Sequence, residues 1–160
     1  MLFSKRYTII LNMASAFSLS HILVAFQLLS AGLLLMTGPL LAYNWIWGAF
    51  QIGGLLIGIW AIVVMKMSNK FNIPPDVREG SKLVKQSIYK YIRHPMYTAV
   101  LLYFLFGLIH HFSWARISYF GILLITLIIK INYEEKLLNK AFEDYAKYQK
   151  QSWHLIPFVY

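Results

Sequence analysis

The sequence predicts an all-α integral membrane protein, a helical bundle of about four transmembrane helices. Of its 160 residues, 59% are hydrophobic and only 13% are charged, and the mean hydropathy is +0.56. This composition excludes a soluble globular domain. The charges are also segregated, because every acid and every basic residue except Arg116 lies before the first predicted span, between the second and third, or from the end of the fourth onward. Alternating apolar and charged segments are typical of a chain that crosses a membrane several times.

The net charge of +9 raises the question of a nucleic-acid partner. Basic residues of membrane proteins collect on the cytoplasmic side and adhere to anionic lipid, and the segregated charges follow that pattern. We therefore expect membrane lipids and no nucleic acid as partners, with both termini and any polar site cytoplasmic. The membrane is either a bacterial inner membrane or the endoplasmic reticulum. The sequence has no cysteine, so it excludes thiolate chemistry and leaves the redox compartment open.

The first apolar stretch, residues 7–47, is too long for one span, because as a single helix it would measure roughly 60 Å against a hydrocarbon core of about 30 Å. Gly38-Pro39 is the predicted break. It gives a first span over residues 21–37 and a second over residues 43–65. Residues 1–20 form either an interfacial helix or a longer start of the first span, and we do not expect them to be a cleaved signal peptide.

The segment between the second and third spans is predicted to be a cytoplasmic loop, since it carries Pro74-Pro75 and charges of both signs. A third span is predicted over residues 96–112 and a fourth over residues 117–131. An even number of spans places both termini on the same side.

Beyond the fourth span the helical pattern continues, because apolar residues recur at spacings of three and four from Leu137 to Tyr148. This pattern predicts a helix that leaves the membrane and lies along its surface. The tail, residues 153–158, is apolar again and is expected to fold back against the bundle. We predict one membrane domain over residues 1–160, with the first two spans in 1–65 and a catalytic part in 66–160.

Two polar clusters, residues 89–97 and 133–138, lie at the start of the third span and the exit of the fourth. We expect them to meet at one membrane face. Pro95 disfavours a helical conformation at His94 and suits the first turn of the following helix. The backbone N–H groups of that turn, with Arg93 beside them, could bind an anion; alternatively, Arg93 only contacts lipid phosphate.

Lys130 and Glu134 are four residues apart and share a helix face. They form either a structural ion pair or part of a functional site, and the sequence does not decide between the two. Glu135 adds a second carboxylate. No histidine has a spacing from a carboxylate that predicts a metal site, and none is expected.

Several motifs in order carry a family resemblance. They are Leu83-Val84, Ile88-Tyr89, the run 91–97 with Arg93-His94-Pro95, Glu134-Glu135 with Leu138, the pair Tyr145 and Tyr148, and Leu155-Ile156-Pro157. Taken together, residues 66–160 resemble the isoprenylcysteine carboxyl methyltransferase family. Membrane enzymes that methylate phospholipid amines share much of this pattern.

The resemblance implies a cytoplasmic S-adenosylmethionine pocket formed by the 66–95 loop and the C-terminal helix, and a lipophilic substrate that enters from the bilayer. By position, the cofactor contacts would be Leu83, Val84, Tyr89, His94, Pro95, Met96, Tyr97 and Glu134. The residues implied in catalysis are Lys130, Glu134 and Arg93.

Three positions depart from the family pattern. Lys130 replaces an arginine near the substrate carboxylate, Ser87 replaces a glycine, and His154 stands where another basic residue is common. Lysine offers a point charge where arginine offers a bidentate fork, which bears on whether the substrate is a carboxylate.

The expected function is therefore methyl transfer from S-adenosylmethionine to a lipophilic acceptor, a prenyl or phospholipid compound. Carboxyl O-methylation of an isoprenylcysteine-like carboxylate is the first hypothesis and phospholipid N-methylation the second. An NADPH-dependent relative of the sterol reductases and a non-catalytic adaptor are the remaining alternatives. The sequence does not predict an oligomeric state.

Overall fold

The computed structural model describes the backbone of residues 2–68 and 83–157 and the side chains of residues 19–67 and 83–157. Its helices are α1 (Leu2–Met36), α2 (Trp45–Ser68), α3 (Pro95–His110), α4 (Trp114–Ala141) and the short α5 (Tyr145–Gln149). A single 3-10 turn, Ser87–Lys90, precedes α3. Over the described ranges the only β-type pairing is an isolated bridge between Ile92 and Trp153. The predicted all-α class is confirmed.

Three of these helices are long and apolar enough to cross a membrane, over Leu19–Met36, Trp45–Met67 and Trp114–Ala141. The third predicted span, residues 96–112, corresponds to α3, which is the shortest of the four apolar helices. Helix α3 has 16 residues and a length of about 24 Å, against the roughly 30 Å of a hydrocarbon core. The chain is thus a helical membrane bundle in which one of the four apolar helices falls short of the other three.

The predicted break at Gly38-Pro39 is confirmed, because α1 ends at Met36. Residues 2–20 are helical without interruption and form a longer start of the first helix. The sequence contains no glycine or proline before Gly32, so nothing in it ends the helix earlier. The predicted loop around Pro74-Pro75 lies outside the described residues, and α2 runs on to Ser68 before it.

The four long helices form two antiparallel pairs. Helix α2 lies against α3 through small residues, since a Cβ atom at Gly54 would be 3.2 Å from the carbonyl oxygen of Ala99. Helix α1 lies against α4, where Leu34 packs with Leu123 and both contact Phe104 of α3. This arrangement brings the start of α3 and the second half of α4 to the same end of the bundle, which we call the site end.

At the opposite end the structure differs from the predicted spans, which leave Arg116 in the turn between residues 112 and 117. Helix α4 begins at Trp114, and Arg116 is 2% exposed inside the bundle. Its Nη1 donates to the carbonyl oxygen of Leu34 at 2.8 Å and lies 3.4 Å from the hydroxyl of Thr37. The last turn of α1 has carbonyl groups without helical partners, and the guanidinium supplies the donor.

The C-terminal segment is less continuous than predicted. Helix α4 ends at Ala141, Phe142 is extended (φ −130°, ψ 116°), and α5 begins at Tyr145. The tail then returns to the bundle as predicted, where Trp153 pairs with Tyr91 and Leu155 is buried. The described part of the tail ends at residue 157.

Candidate active site at the start of the third helix

The site is built on the entry into α3. Pro95 is the first residue of the helix, and His94 before it has φ −121° and ψ 57°, outside the helical region. This confirms the conformation expected of a residue before proline. The backbone that leads into the helix, and not the helical repeat, therefore sets the direction of the His94 side chain. Its ring is parallel to that of Tyr97, with 5.6 Å between the two ring centroids.

The two carboxylates of α4 meet His94 from opposite sides. Nδ1 of His94 lies 3.3 Å from Oε2 of Glu134, and Nε2 lies 3.3 Å from Oε1 of Glu135. Burial lowers the pKa of His94, but hydrogen bonds to the two carboxylates outweigh it, and the pKa is raised above its ordinary value. Both ring nitrogens face acceptors, so the imidazolium form fits this position. The expected convergence of the two polar clusters is confirmed.

Glu135 is the centre of this cluster, and its oxygens are fully used. Oε1 accepts from Nε of Arg93 at 2.7 Å and faces His94. Oε2 accepts from Nε2 of Gln149 at 2.6 Å and lies 3.2 Å from Nε2 of His154. An ionised carboxylate offers about four acceptor positions, and these four partners fill them. Glu135 therefore has no capacity left for a ligand.

Glu134 differs from its neighbour. It accepts a short hydrogen bond from the hydroxyl of Tyr97 and faces Nδ1 of His94, one partner on each oxygen. Among the described residues, about two acceptor positions of its carboxylate thus stay available. Its side chain is 15% exposed, against 10% for Glu135. Within the cluster, Glu134 is the carboxylate that can bind a further cationic or N–H-bearing group.

Arg93 faces the C-terminal tail. Besides the bond to Glu135, its Nη1 donates to the carbonyl oxygens of Gln149 and Ser152 and to the Ser152 hydroxyl. Its backbone N–H donates to the carbonyl of Trp153 at 2.8 Å. The anion site expected beside Arg93 is therefore largely occupied by tail carbonyls, which also take the N–H of His94.

Lys130 lies one turn before Glu134 and is 2% exposed. Its Nζ donates to Oε1 of Gln27 on α1 at 2.9 Å and lies 5.2 Å from the centre of the Tyr97 ring. Lys130 and Glu134, both of them described in full, form no ion pair with each other. The basic and acidic groups that the sequence placed on one helix face are thus held apart by different partners.

The remaining predicted cofactor contacts form an apolar cluster beside these charges. Val84 and Tyr89 pack with Ala61 and Val64 of α2, and Met96 contacts the same cluster. The hydroxyl of Tyr89 donates to the carbonyl oxygen of Ala61 at 3.3 Å. Burial, followed by the charges of Tyr148 and Glu134, raises the pKa of Tyr89, so the phenol stays neutral.

Two predicted contacts play smaller parts in what the structure describes. Leu83 is half-buried at the edge of the described chain, and Pro95 is buried at the helix start. Sequence reasoning missed Gln27 and Gln149, whose uncharged side chains carry no recognisable motif. It placed His154 correctly as a position for a basic residue, but not in contact with Glu135.

Comparison with known proteins decides the family. A family model described as phospholipid methyltransferase matches residues 45–145. The chain belongs to this family. The match confirms the predicted resemblance and supports a membrane methyltransferase that acts on lipid substrates. A search of curated proteins found no match. The phospholipid methyltransferase match begins with α2, so it leaves out α1 and Gln27, and it ends before Gln149 and His154.

Proposed function

We propose that the protein transfers a methyl group from S-adenosylmethionine to the polar group of a lipophilic acceptor, at the junction of α3 and α4. The observation that carries this proposal is the contrast between the two carboxylates. Glu135 is saturated by protein partners, whereas Glu134, in the part of the chain that the structure describes, keeps acceptor positions open near an aromatic ring and a buried ammonium group. A buried site with unfilled capacity for both charges suits two oppositely charged ligand groups.

The side chains present fit S-adenosylmethionine. The cofactor carries an amino group and a sulfonium, and when bound it supplies an activated methyl group on a positively charged sulfur. Glu134 can accept hydrogen bonds from the amino group. The ring of Tyr97 already contacts His94 and the ammonium of Lys130, so Tyr89 is the aromatic residue that can attract the sulfonium, at about 0.5 to 2 kcal/mol. His94 would hold the Glu134 carboxylate in place from the other side.

The acceptor proposed first is an isoprenylcysteine-like carboxylate, which would be methylated on oxygen. Lys130 supports this choice, because its ammonium has three donors and only one is directed to Gln27. A carboxylate oxygen can attack without losing a proton, so the chain needs to supply orientation and water exclusion. Holding two reactants in line can lower the barrier by about 7 to 11 kcal/mol. Arg93 would act as a positioning residue, because its described contacts go to Glu135 and the tail.

The second candidate is the amine of a phospholipid, favoured by the description of the matched family. A protonated amine must give up a proton before its lone pair can attack the methyl group. Glu134 would accept that proton, and Lys130 would repel the amine while it is protonated. The two candidates therefore assign opposite importance to Lys130.

We also propose that the site end faces the cytoplasm. The pairs α1–α4 and α2–α3 place Lys66, Lys85, Lys90 and Lys136 toward this end, and Arg116 toward the other. This distribution agrees with the excess of positive charge in cytoplasmic segments.

Titration of the detergent-solubilised protein with S-adenosylmethionine tests the cofactor, with NADPH as the comparison. We expect binding of the first alone. Lipids extracted from cells with and without the protein, after feeding of labelled methionine, identify the acceptor. The variant Lys130→Met should raise the KM for a carboxylate acceptor about tenfold, the cost of one charge-assisted hydrogen bond. An unchanged KM would assign the acceptor to the amine class, and failure of the wild type to bind S-adenosylmethionine would refute the proposal.

A further inference from the structure

Gln27 is a residue of α1 that contacts Lys130 of the site. It lies outside the stretch that matches the family, and its Oε1 accepts a hydrogen bond from Nζ of Lys130 at 2.9 Å. Among the described residues this is the hydrogen-bond acceptor that Lys130 contacts. The pair lies within two candidate spans, with Lys130 buried and Gln27 half-buried. Polar residues at such positions are costly and usually serve a site.

The contact is notable because Lys130 has a closer candidate partner along its own helix. Residues four apart on a helix face each other, so Lys130 and Glu134 are placed to form an ion pair. In a buried environment the attraction between them is stronger than in water. Both side chains are described, and the ammonium nevertheless bonds to Gln27 while Glu134 bonds to Tyr97 and faces His94.

Tyr97 contacts both charged groups through different parts of its side chain. Nζ of Lys130 lies 5.2 Å from the centre of its ring, and its hydroxyl donates to Glu134. The ammonium therefore lies near the ring, where it reaches Gln27, and the carboxylate lies at the hydroxyl end. Without Gln27, no other described residue accepts a hydrogen bond from the buried ammonium, and an unpaired buried charge is costly. The Lys130 side chain would then turn its ammonium toward Glu134, one helical turn further along α4.

We propose that Gln27 is a positioning residue that keeps Lys130 from neutralising Glu134, and that it thereby sets the charge seen by the methyl acceptor. The inference rests on the proposed function, since it assigns Glu134 to the cofactor and Lys130 to an anionic group of the acceptor. A neutral amide suits this role because it solvates the ammonium without cancelling its charge. An acidic residue at position 27 would cancel it.

Two substitutions of Gln27 separate these effects. Gln27→Leu removes the acceptor, so Lys130 is free to pair with Glu134; both the affinity for S-adenosylmethionine and the acceptor KM should worsen about tenfold. Gln27→Glu keeps an acceptor at this position but neutralises Lys130. Its affinity for S-adenosylmethionine should stay within about twofold of wild type, while the acceptor KM rises about tenfold. Titration calorimetry gives the first quantity, and methyl transfer to an N-acetylated prenylcysteine in detergent gives the second.

Ser30→Ala is the matched control. Ser30 lies almost one turn after Gln27 on the same helix and is buried, but its hydroxyl bonds only to carbonyls of α1 itself. Both constants should therefore equal those of the wild type.

A double-mutant cycle with Lys130→Met tests whether Gln27 acts through Lys130. With no ammonium left to pair with Glu134, adding Gln27→Leu should not change the affinity for S-adenosylmethionine further. An equal loss of affinity in both backgrounds would show a merely structural role and overturn the inference, as would unchanged affinity in Gln27→Leu alone. These outcomes are distinct from failure of the proposed function, in which the wild type itself neither binds S-adenosylmethionine nor transfers a methyl group.

Discussion

Replacing each of the two adjacent carboxylates by its amide should give crossed phenotypes. In Glu135→Gln the side chain keeps its shape, but it loses its charge and gains an NH2 group. Glu135 accepts from donors on both oxygens, at 2.6 to 3.3 Å, so either orientation of the amide directs its NH2 toward two other donors. The buried guanidinium of Arg93 also loses its counter-charge.

The magnitude follows from these losses. Removing one partner of a buried ion pair costs about 3–5 kcal/mol. For a chain of this size that cost corresponds to a decrease of about 6–20 °C in melting temperature. Glu134→Gln should cost less, about 1–3 kcal/mol, because the amide oxygen can still accept from Tyr97 and one facing group is lost. The loss of affinity for S-adenosylmethionine should show the reverse order and be larger in Glu134→Gln, since Glu134 is the carboxylate with open acceptor positions.

The assay is thermal unfolding of both variants in one detergent, followed by titration with S-adenosylmethionine at a temperature where both are folded. We expect Glu135→Gln to melt lower and to keep most of its affinity, and Glu134→Gln to melt higher and to bind at least about tenfold more weakly. Equal melting temperatures, or a larger loss of affinity in Glu135→Gln, would refute the assignment of the two carboxylates.

Three further predictions concern stability. Ser87 has φ 57° and is exposed, so Ser87→Gly should relieve a left-handed conformation and raise stability by about 0.5–1 kcal/mol, whereas Ser87→Ala should not. Gly38→Ala should lower the melting temperature, because the added Cβ would lie 2.1 Å from Nη1 of Arg116; Gly32→Ala, with no neighbour within 4 Å, should not. The pKa of His94 is raised, so the stability that its charged form contributes is fully present below the ordinary histidine pKa and is lost as the pH rises through the raised pKa. Across that pH range, the melting temperature of the wild type should therefore fall more than that of His94→Gln.

The parts of the fold set by neighbouring residues could be predicted from the sequence. Gly38-Pro39 ends α1 and Pro95 starts α3, because each acts on the backbone within one or two residues. Ser87 also fits this class, since the glycine expected there by resemblance coincides with a positive φ. Successive spans run in opposite directions, so the number of spans between the two polar clusters predicted that they meet at one end of the bundle.

What could not be predicted depends on contacts between residues distant in sequence. Arg116 is buried because the end of α1, about 80 positions away, presents carbonyls to it. The division of roles between Glu134 and Glu135 depends on how α4 is rotated about its axis, and on a tail that supplies Gln149 and His154. Neighbours on a helix project about 100° apart, and no local pattern states which of the two faces the tail.

The short third helix connects the fold to the chemistry. Just before α3, the hydroxyl of Tyr89 donates to the carbonyl oxygen of Ala61 on α2. Helix α2 continues past this point to Ser68, about 10 Å further along its axis. The charged cluster is therefore recessed between longer helices, and its groups must be paired because unpaired buried charges are costly. Glu135 meets this requirement within the protein. Within the described residues, Glu134 and Lys130 meet it only in part, which is why we propose that a ligand brings a cation to one and an anion to the other.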